Sequence, residues 1–81
     1  MAIQKDDYIE GTEHYGPAPG TRKTKGWVDY IRNDGEHFFY HIQADDGWNG
    51  ARGTILTTEL GKVRKLEPRG RPKRNLAKGE F

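Results

Sequence analysis

The chain has 81 residues, of which 32% are hydrophobic and 32% are charged, so it has material for only one thin core. It contains no cysteine, which excludes disulfides, thiolate metal sites and a thiol nucleophile. No apolar run approaches the roughly 18 residues of a membrane span, and no signal-peptide pattern opens the chain. We therefore expect a small soluble protein that is neither an enzyme with a deep pocket nor a membrane protein.

The net charge of +2 hides an asymmetry between the two parts of the chain. Residues 62–81 hold eight Lys or Arg and two Glu, whereas residues 1–61 hold six basic and ten acidic side chains. A body of net charge −4 followed by a tail of net charge +6 indicates that the tail binds a polyanion. A body of this sign is not expected to hold DNA across its whole surface.

Strand signals dominate the chain from its beginning, and helical periodicity is hard to find. Residues 7–10 predict a first short strand. The segment 11–25 contains Gly16-Pro17-Ala18-Pro19-Gly20, and two prolines and two glycines in five residues predict a long loop that continues as a polar arm.

A β-hairpin is predicted next. Residues 27–31 form its first strand, Asn33-Asp34-Gly35 is a tight-turn signal, and residues 38–44 form its second strand. Alternation in the second strand gives two faces. The predicted core face comprises Phe38, Tyr40, Ile42 and Ala44, and the opposite face comprises Phe39, His41 and Gln43.

Three shorter elements follow. Asp45-Asp46-Gly47 predicts a turn, residues 52–57 a fourth strand, and residues 57–60 a one-turn helix. Residues 62–66 predict a short fifth strand, which Pro68 ends because proline cannot donate to a strand ladder.

Five short strands predict a small all-β barrel over residues 1–67, with residues 68–81 as a flexible basic tail. The run Gly26-Trp27-Val28-Asp29-Tyr30-Ile31, the aromatic strand that ends in Asp45-Asp46-Gly47, and Leu60 before the last strand resemble the SH3-like barrels of the Tudor and KOW type. This resemblance covers about residues 6–66. It implies a five-stranded barrel but no particular function, since such barrels bind nucleic acids, peptides or methyl-lysine.

A second type of barrel is an alternative interpretation of the sequence. The run His37-Phe38-Phe39-Tyr40-His41-Ile42 resembles the second nucleic-acid motif of cold-shock domains, which are OB-folds. Residues 26–31 would then stand where that family has its Gly-Phe-Gly-Phe segment, although the middle glycine is missing here. This alternative implies a binder of single-stranded nucleic acid.

The sharpest motif lies in the tail. It is Pro68-Arg69-Gly70-Arg71-Pro72-Lys73-Arg74, which resembles the AT-hook, a motif with an Arg-Gly-Arg-Pro core and basic flanks, although Glu67 stands where AT-hooks usually carry Lys or Arg. The predicted DNA-binding residues are Arg69, Gly70, Arg71, Pro72, Lys73 and Arg74.

The physics of the minor groove explains these residue types. A·T tracts have a narrow minor groove with enhanced negative potential, which only a thin, extended backbone can enter. Gly70 has no side chain to strike the groove floor, and Arg69 and Arg71 reach adenine N3 and thymine O2. Pro72 keeps the segment extended, and the basic side chains of Lys73 and Arg74 that follow it contact phosphates. A disordered basic tail that only solubilises the chain is the alternative interpretation.

Secondary DNA contacts are predicted in and beside the long loop and near the C-terminus. The residues concerned are Arg22, Lys23, Lys25, Trp27 and Lys78. For the residues of the loop, a solvated loop without DNA contact is the alternative interpretation.

Function is therefore expected to be non-enzymatic recognition of A·T-rich double-stranded DNA, in an architectural or regulatory role. We expect no cofactor, no metal and no small-molecule substrate. A cytoplasmic, nucleoid-associated location is expected for a prokaryotic or phage source, and a nuclear one for a eukaryotic source. The main alternative is an interaction module that modulates a larger protein such as transcription machinery, with Phe39 and Trp48 as contacts.

Overall fold

The computed structural model of the chain describes residues 2–14, 20–45 and 53–71. Five strands make up its regular structure: β1 (Tyr8–His14), β2 (Thr21–Asn33), β3 (Phe38–Ala44), β4 (Gly53–Thr57) and β5 (Arg64–Lys65). The predicted all-β fold with five strands is confirmed. The described ranges contain no helix. They therefore contain no helix that is long and apolar enough to cross a membrane.

All five strands belong to one antiparallel sheet with the order β4-β3-β2-β1-β5. The sheet curls, so that β1 also packs against β4. Its two edges, β4 and β5, are not hydrogen-bonded to each other in the described part of the chain. The closed barrel that the sequence predicted is therefore not formed, and the strands make an open, curled sheet.

The prediction of a long loop over residues 11–25 is wrong for residues 11–14 and 21–25, which form strands. Residues 11–14 complete β1, and residues 21–25 begin β2, paired in the register Gly11↔Thr24 to His14↔Thr21. Polar partners stabilise this extension: the buried Glu13 accepts hydrogen bonds from Arg22 Nε at 2.7 Å and Thr24 Oγ1 at 2.8 Å. Such cross-strand pairs can hold a strand with little apolar content. Residues 15–19 lie outside the described ranges.

The predicted hairpin between β2 and β3 is confirmed, and the bounds of β3 are as expected. Side-chain oxygens build its turn. Asn33 Oδ1 accepts from Gly35 N at 3.1 Å, and Asp34 Oδ1 accepts from His37 N at 2.7 Å and Glu36 N at 2.9 Å. These two backbone donors, His37 first, hold the pKa of Asp34 below its usual value. Gly35 has φ +91°, which glycine adopts without strain.

Residues 57–60 form a hydrogen-bonded turn and not the predicted one-turn helix. Leu60 N donates to Thr57 O at 3.2 Å, and Gly61 N donates to Thr58 O at 3.3 Å. Gly61 follows with φ +151°, which does not continue a helical turn. The last strand is also shorter than predicted, because only Arg64–Lys65 pairs with β1.

The sheet has an inner and an outer face. The inner face carries the core cluster, and the residues of that cluster are Ile9, Val28, Tyr40, Ile42 and Leu56. The outer face carries the alternate residues of each strand, and Tyr8, Trp27, Tyr30, Phe39, His41 and Gln43 belong to it.

One predicted side-chain environment in β3 needs correction. Phe38, expected in the core, is 46% exposed because it starts the strand at the hairpin end of the sheet. Gln43, on the face opposite the core face, is buried and pairs directly with Trp27.

Glycine allows close approach on the inner face. A Cβ on Gly26 would lie 2.2 Å from the backbone oxygen of Gln43 and 2.8 Å from Ile42 Cδ1. A side chain at this position is therefore incompatible with the present distance between β2 and β3.

Candidate nucleic-acid interface

The segment Arg69-Gly70-Arg71, called the hook below, lies on the outer face of the sheet, over Trp27. The indole Nε1 of Trp27 donates to the backbone oxygen of Arg69 at 2.8 Å. The Trp27 ring, whose centroid is 5.0 Å from that of Tyr8, is only 1% exposed. The beginning of the tail is thus attached to the sheet through a defined contact, whereas the sequence predicted a boundary between body and tail after residue 67.

Arg69 binds to a carboxylate and to two aromatic rings. Its Nη1 donates to Asp45 Oδ2 at 2.9 Å and to the Tyr8 hydroxyl at 3.2 Å. Its guanidinium carbon lies 5.5 Å from the centroid of the Tyr8 ring and 5.7 Å from that of Trp27, within cation–π distance. The side chain is nevertheless 57% exposed, so its ion pair with Asp45 is accessible to solvent.

Tyr8 and Asp45 form the floor beneath Arg69. The Tyr8 hydroxyl donates a short hydrogen bond to Asp45 Oδ2. Burial, and then this bond to Asp45, raises the pKa of Tyr8, while Arg69 acts in the opposite direction. The phenol therefore keeps its proton at neutral pH and orients the carboxylate that receives Arg69.

Arg71 is held more deeply, at a β-bulge in β2. The register shifts at Asp29, since Val28 is aligned with Ile42 and Tyr30 with the next residue back along β3, His41. Arg71 Nη2 donates to Val28 O at 2.8 Å and to Trp27 O at 3.1 Å, and it forms an ion pair with Asp29 Oδ1 at 2.8 Å.

A second carboxylate completes the surroundings of Arg71. Asp6 Oδ1 lies 3.5 Å from Arg71 Nη1, in a segment where Asp6 has φ +73°, a left-handed conformation that is uncommon outside glycine. The Arg71 side chain is 26% exposed, and its Nε is buried without a hydrogen-bond partner among the described residues.

Gly70 lies between these two anchored arginines, at a position with open space where a side chain would be. A Cβ built on Gly70 would have no heavy atom within 4 Å. Its φ also lies outside the left-handed range that favours glycine. The conformation seen here therefore does not require glycine at this position.

The secondary contacts predicted near the loop divide between the two faces of β2. Lys23, Lys25 and Trp27 alternate along the strand and share the outer face, and both lysines are exposed. Arg22 lies on the opposite side of the strand, where it forms an ion pair with Glu13 at 2.7 Å. The expectation that Trp27 packs on DNA does not fit this structure, because its ring is buried beneath Arg69 and beside Tyr8.

A cationic groove lies along the beginning of β2. It has a volume of about 290 Å³, and it is lined by Arg22, Lys23, Thr24, Lys25 and Asp45. One of these residues, Asp45, is also the ion-pair partner of Arg69. The remaining predicted DNA contacts, at Pro72, Lys73, Arg74 and Lys78, lie outside the described residues, as does Trp48.

The other end of the outer face is aromatic. The rings of Tyr30 and His41 stack with centroids 4.2 Å apart, and Tyr30 is 55% exposed. Arg32 Nε donates to His41 Nε2 at 2.8 Å, which requires a neutral imidazole, and its guanidinium carbon lies 5.1 Å from the centroid of the Phe39 ring. Burial, followed by the charge of Arg32, lowers the pKa of His41.

Comparisons of the chain with protein-family models, with curated proteins and with solved structures gave no match. No group of three or more His, Cys, Asp or Glu suited to a metal ion occurs among the residues that the structure describes. Residues 69–71 and the cationic groove are the described features that bear on nucleic-acid binding.

The acidic partners of the hook were not predicted from the sequence. Asp29, Asp45 and Asp6 are far from residues 69–71 along the chain, and their approach depends on the bulge and the strand register. The one signal in the sequence was the opposite charge of body and tail, which is compatible with contact between them.

Proposed function

We propose that the protein is a non-enzymatic DNA-binding protein that recognises the minor groove of A·T-rich duplex DNA through Arg69-Gly70-Arg71. The sequence adds Pro72, Lys73 and Arg74, which extend the segment and contact phosphates. The expected role is architectural or regulatory. We retain the SH3-like resemblance as part of this proposal, with the curled five-stranded sheet as the support for the hook.

The observation that carries the proposal is the open space around Gly70. A glycine that folding requires shows either a close neighbour or a left-handed φ, and Gly70 shows neither. The floor of an A·T minor groove supplies a reason for its presence, because a backbone between two inserted guanidinium groups must approach the base edges closely.

The cationic groove gives the proposal a second support. Lys23 and Lys25 share the outer face with the segment that carries the hook, and both are exposed. A duplex engaged by the hook would bring its phosphates near this groove, where lysines bind phosphate without reading sequence. A single small basic element binds DNA with a dissociation constant of roughly 10⁻⁴–10⁻⁶ M at physiological salt, so added lysine contacts are needed for useful affinity.

The test compares Gly70→Ala with Gly53→Ala, because a Cβ would also meet nothing at Gly53. We expect both variants to unfold at the wild-type temperature. Gly70→Ala should bind an A·T-tract duplex at least about fivefold more weakly, or about 1 kcal/mol, whereas Gly53→Ala should bind like wild type. Fluorescence anisotropy with A·T and G·C duplexes at fixed salt measures both effects. Equal affinity of wild type for the two duplexes, or of Gly70→Ala and wild type for the A·T duplex, would refute the proposal.

A protein-interaction surface is the second candidate function, and the exposed aromatic end of the outer face favours it. Tyr30 lies in one cross-strand row with His41 and Ile55, and Ile55 is 39% exposed. Exposed Tyr beside an aliphatic side chain is typical of protein contact surfaces. The single-strand alternative has less support, because Arg32 covers the Phe39 ring on which a base would stack. Tyr30→Ala should leave duplex binding unchanged if the DNA proposal is correct.

A further inference from the structure

The two side chains that the proposed function assigns to DNA are bound to acidic groups of the sheet in this structure. Arg69 is bound to Asp45, and Arg71 to Asp29 and Asp6. We refer to these three carboxylates, with the Tyr8 and Trp27 rings and the backbone oxygens of Trp27 and Val28, as the arginine-binding groove.

A guanidinium group in this groove is not available to DNA. Arg71 Nη2 already donates to two backbone oxygens and forms an ion pair with Asp29, and the Nη1 of each arginine lies beside a carboxylate. Both guanidinium groups point at the sheet, whereas minor-groove insertion requires both to point along the base edges. The bound state seen here and the DNA-bound state are therefore mutually exclusive.

From this juxtaposition we infer that the arginine-binding groove is an autoinhibitory site, which competes with A·T-rich DNA for Arg69 and Arg71. The inference rests on the proposed function and adds its regulation. The measured DNA affinity is then the intrinsic affinity multiplied by the fraction of molecules in which the hook is free.

The two arginines differ in how easily they leave the groove. Arg69 is 57% exposed and has one carboxylate partner, whereas Arg71 is 26% exposed and has two carboxylates and two backbone oxygens. Exposed ion pairs contribute little and are screened by salt, whereas a partly buried, multiply bonded guanidinium is held more strongly. Release therefore begins at Arg69, and Asp29 is the main determinant of the closed state.

The test neutralises the groove and controls for net charge. Asp29→Asn combined with Asp45→Asn removes two carboxylates from the groove. Glu36→Gln combined with Glu59→Gln removes two exposed carboxylates elsewhere on the chain. We expect the first pair to raise affinity for an A·T-tract duplex about fivefold above the second pair, at 150 mM salt. Equal affinity of the two double variants would overturn the inference.

A second measurement leaves every residue of the arginine-binding groove unchanged. The Trp27 indole N–H loses its acceptor, the Arg69 carbonyl, when the segment leaves the sheet. Its NMR resonance, distinguished from that of Trp48 with a Trp48→Phe sample, should move on titration with an A·T duplex. Binding of that duplex without movement of the Trp27 resonance would overturn the inference.

The two proposals fail in different ways. If neither wild type nor Asp29→Asn with Asp45→Asn binds an A·T duplex in preference to a G·C duplex, the proposed function is wrong. If wild type shows that preference and the double variant matches its charge control, only the autoinhibitory groove is wrong.

Discussion

The inner face of the sheet and the part of the outer face around Trp27 are both covered, but by different chemistry. The inner face is closed by hydrocarbon: Ile9, Val28, Ile42 and Leu56 have no exposed surface. The outer face is closed at Trp27 by a charged segment, in which Arg69 and Arg71 bind carboxylates and carbonyls. Apolar burial contributes about 1.5–3 kcal/mol per large side chain, whereas an exposed ion pair contributes about 0.2–1 kcal/mol. We therefore expect the inner closure to be the stronger of the two and the outer one to be the easier to open.

Truncation of the inner face should give the largest effect. Leu56→Ala removes a fully buried side chain that packs within the core cluster and beside Gly11. We expect a loss of about 2–5 kcal/mol in the free energy of unfolding, measured by chemical denaturation. Ile55→Ala is the control, because its side chain comes from the same strand but points to the other face and is partly exposed. Similar losses in the two variants would mean that the faces are not as different as described.

Added volume on the inner face should give the next largest effect. Gly26→Ala places a Cβ within 2.2 Å of the Gln43 backbone oxygen, so β2 and β3 must separate. We expect a loss of about 1–3 kcal/mol by thermal or chemical denaturation. Gly53→Ala, at a position with open space, should change the free energy of unfolding by less than about 0.5 kcal/mol. A Gly26→Ala protein as stable as Gly53→Ala would contradict this close strand contact.

Substitutions that remove contacts in the arginine-binding groove should lower the free energy of unfolding by less than either change to the inner face. Arg71→Ala should lower the free energy of unfolding by about 1 kcal/mol, because it removes a partly buried guanidinium with several acceptors. Arg69→Ala should cost less, since Arg69 is more exposed. Denaturation in low and high salt measures both, and the Arg69 effect should shrink more as salt rises.

Arg71→Lys sharpens this comparison. It keeps the positive charge near Asp29 but loses the planar fork that binds several acceptors at once, so it should recover only part of the stability. Full recovery by lysine would show that charge alone holds the segment in the groove.

The sequence predicted those parts of the fold that depend on local pattern. The alternation of side chains predicted β3 and its core residues Tyr40 and Ile42 correctly. The turn of the hairpin was predicted from Asn33-Asp34-Gly35. Residues 11–14 and 21–25 were assigned to a loop because they are polar and border a Gly–Pro run. Their strand conformation depends on pairs such as Glu13 with Arg22 and Thr24, which are distant in the chain and carry no periodic signal.

The candidate site was predicted only in part for the same reason. The motif at residues 69–71 is contiguous and can be found by inspection. Its partners Asp29 and Asp45 come together only through the bulge in β2 and the end of β3. The burial of Trp27 likewise follows from coverage by the tail segment, which a strand pattern does not encode.

The smallest expected effect concerns the aromatic end of the outer face, around Tyr30 and His41. His41 accepts from Arg32 as a neutral imidazole, and burial together with the charge of Arg32 lowers its pKa. The unfolded chain, in which histidine has a pKa of about 6.5, therefore binds more protons than the folded chain as the pH falls below that value. Stability from this group is complete above about pH 6.5 and is lost as the pH falls through the folded-state pKa. We expect a loss below about 1 kcal/mol between pH 7 and pH 5, measured by denaturation at each pH.

His41→Phe tests the source of that loss, since phenylalanine can retain the stacking on Tyr30 but cannot be protonated. The variant should show a weaker fall in stability between pH 7 and pH 5 than wild type. An unchanged slope would assign the pH dependence to other groups. A reduced slope, with A·T duplex binding unaffected, would show that the open aromatic end and the arginine-binding groove act independently on one face of the same sheet.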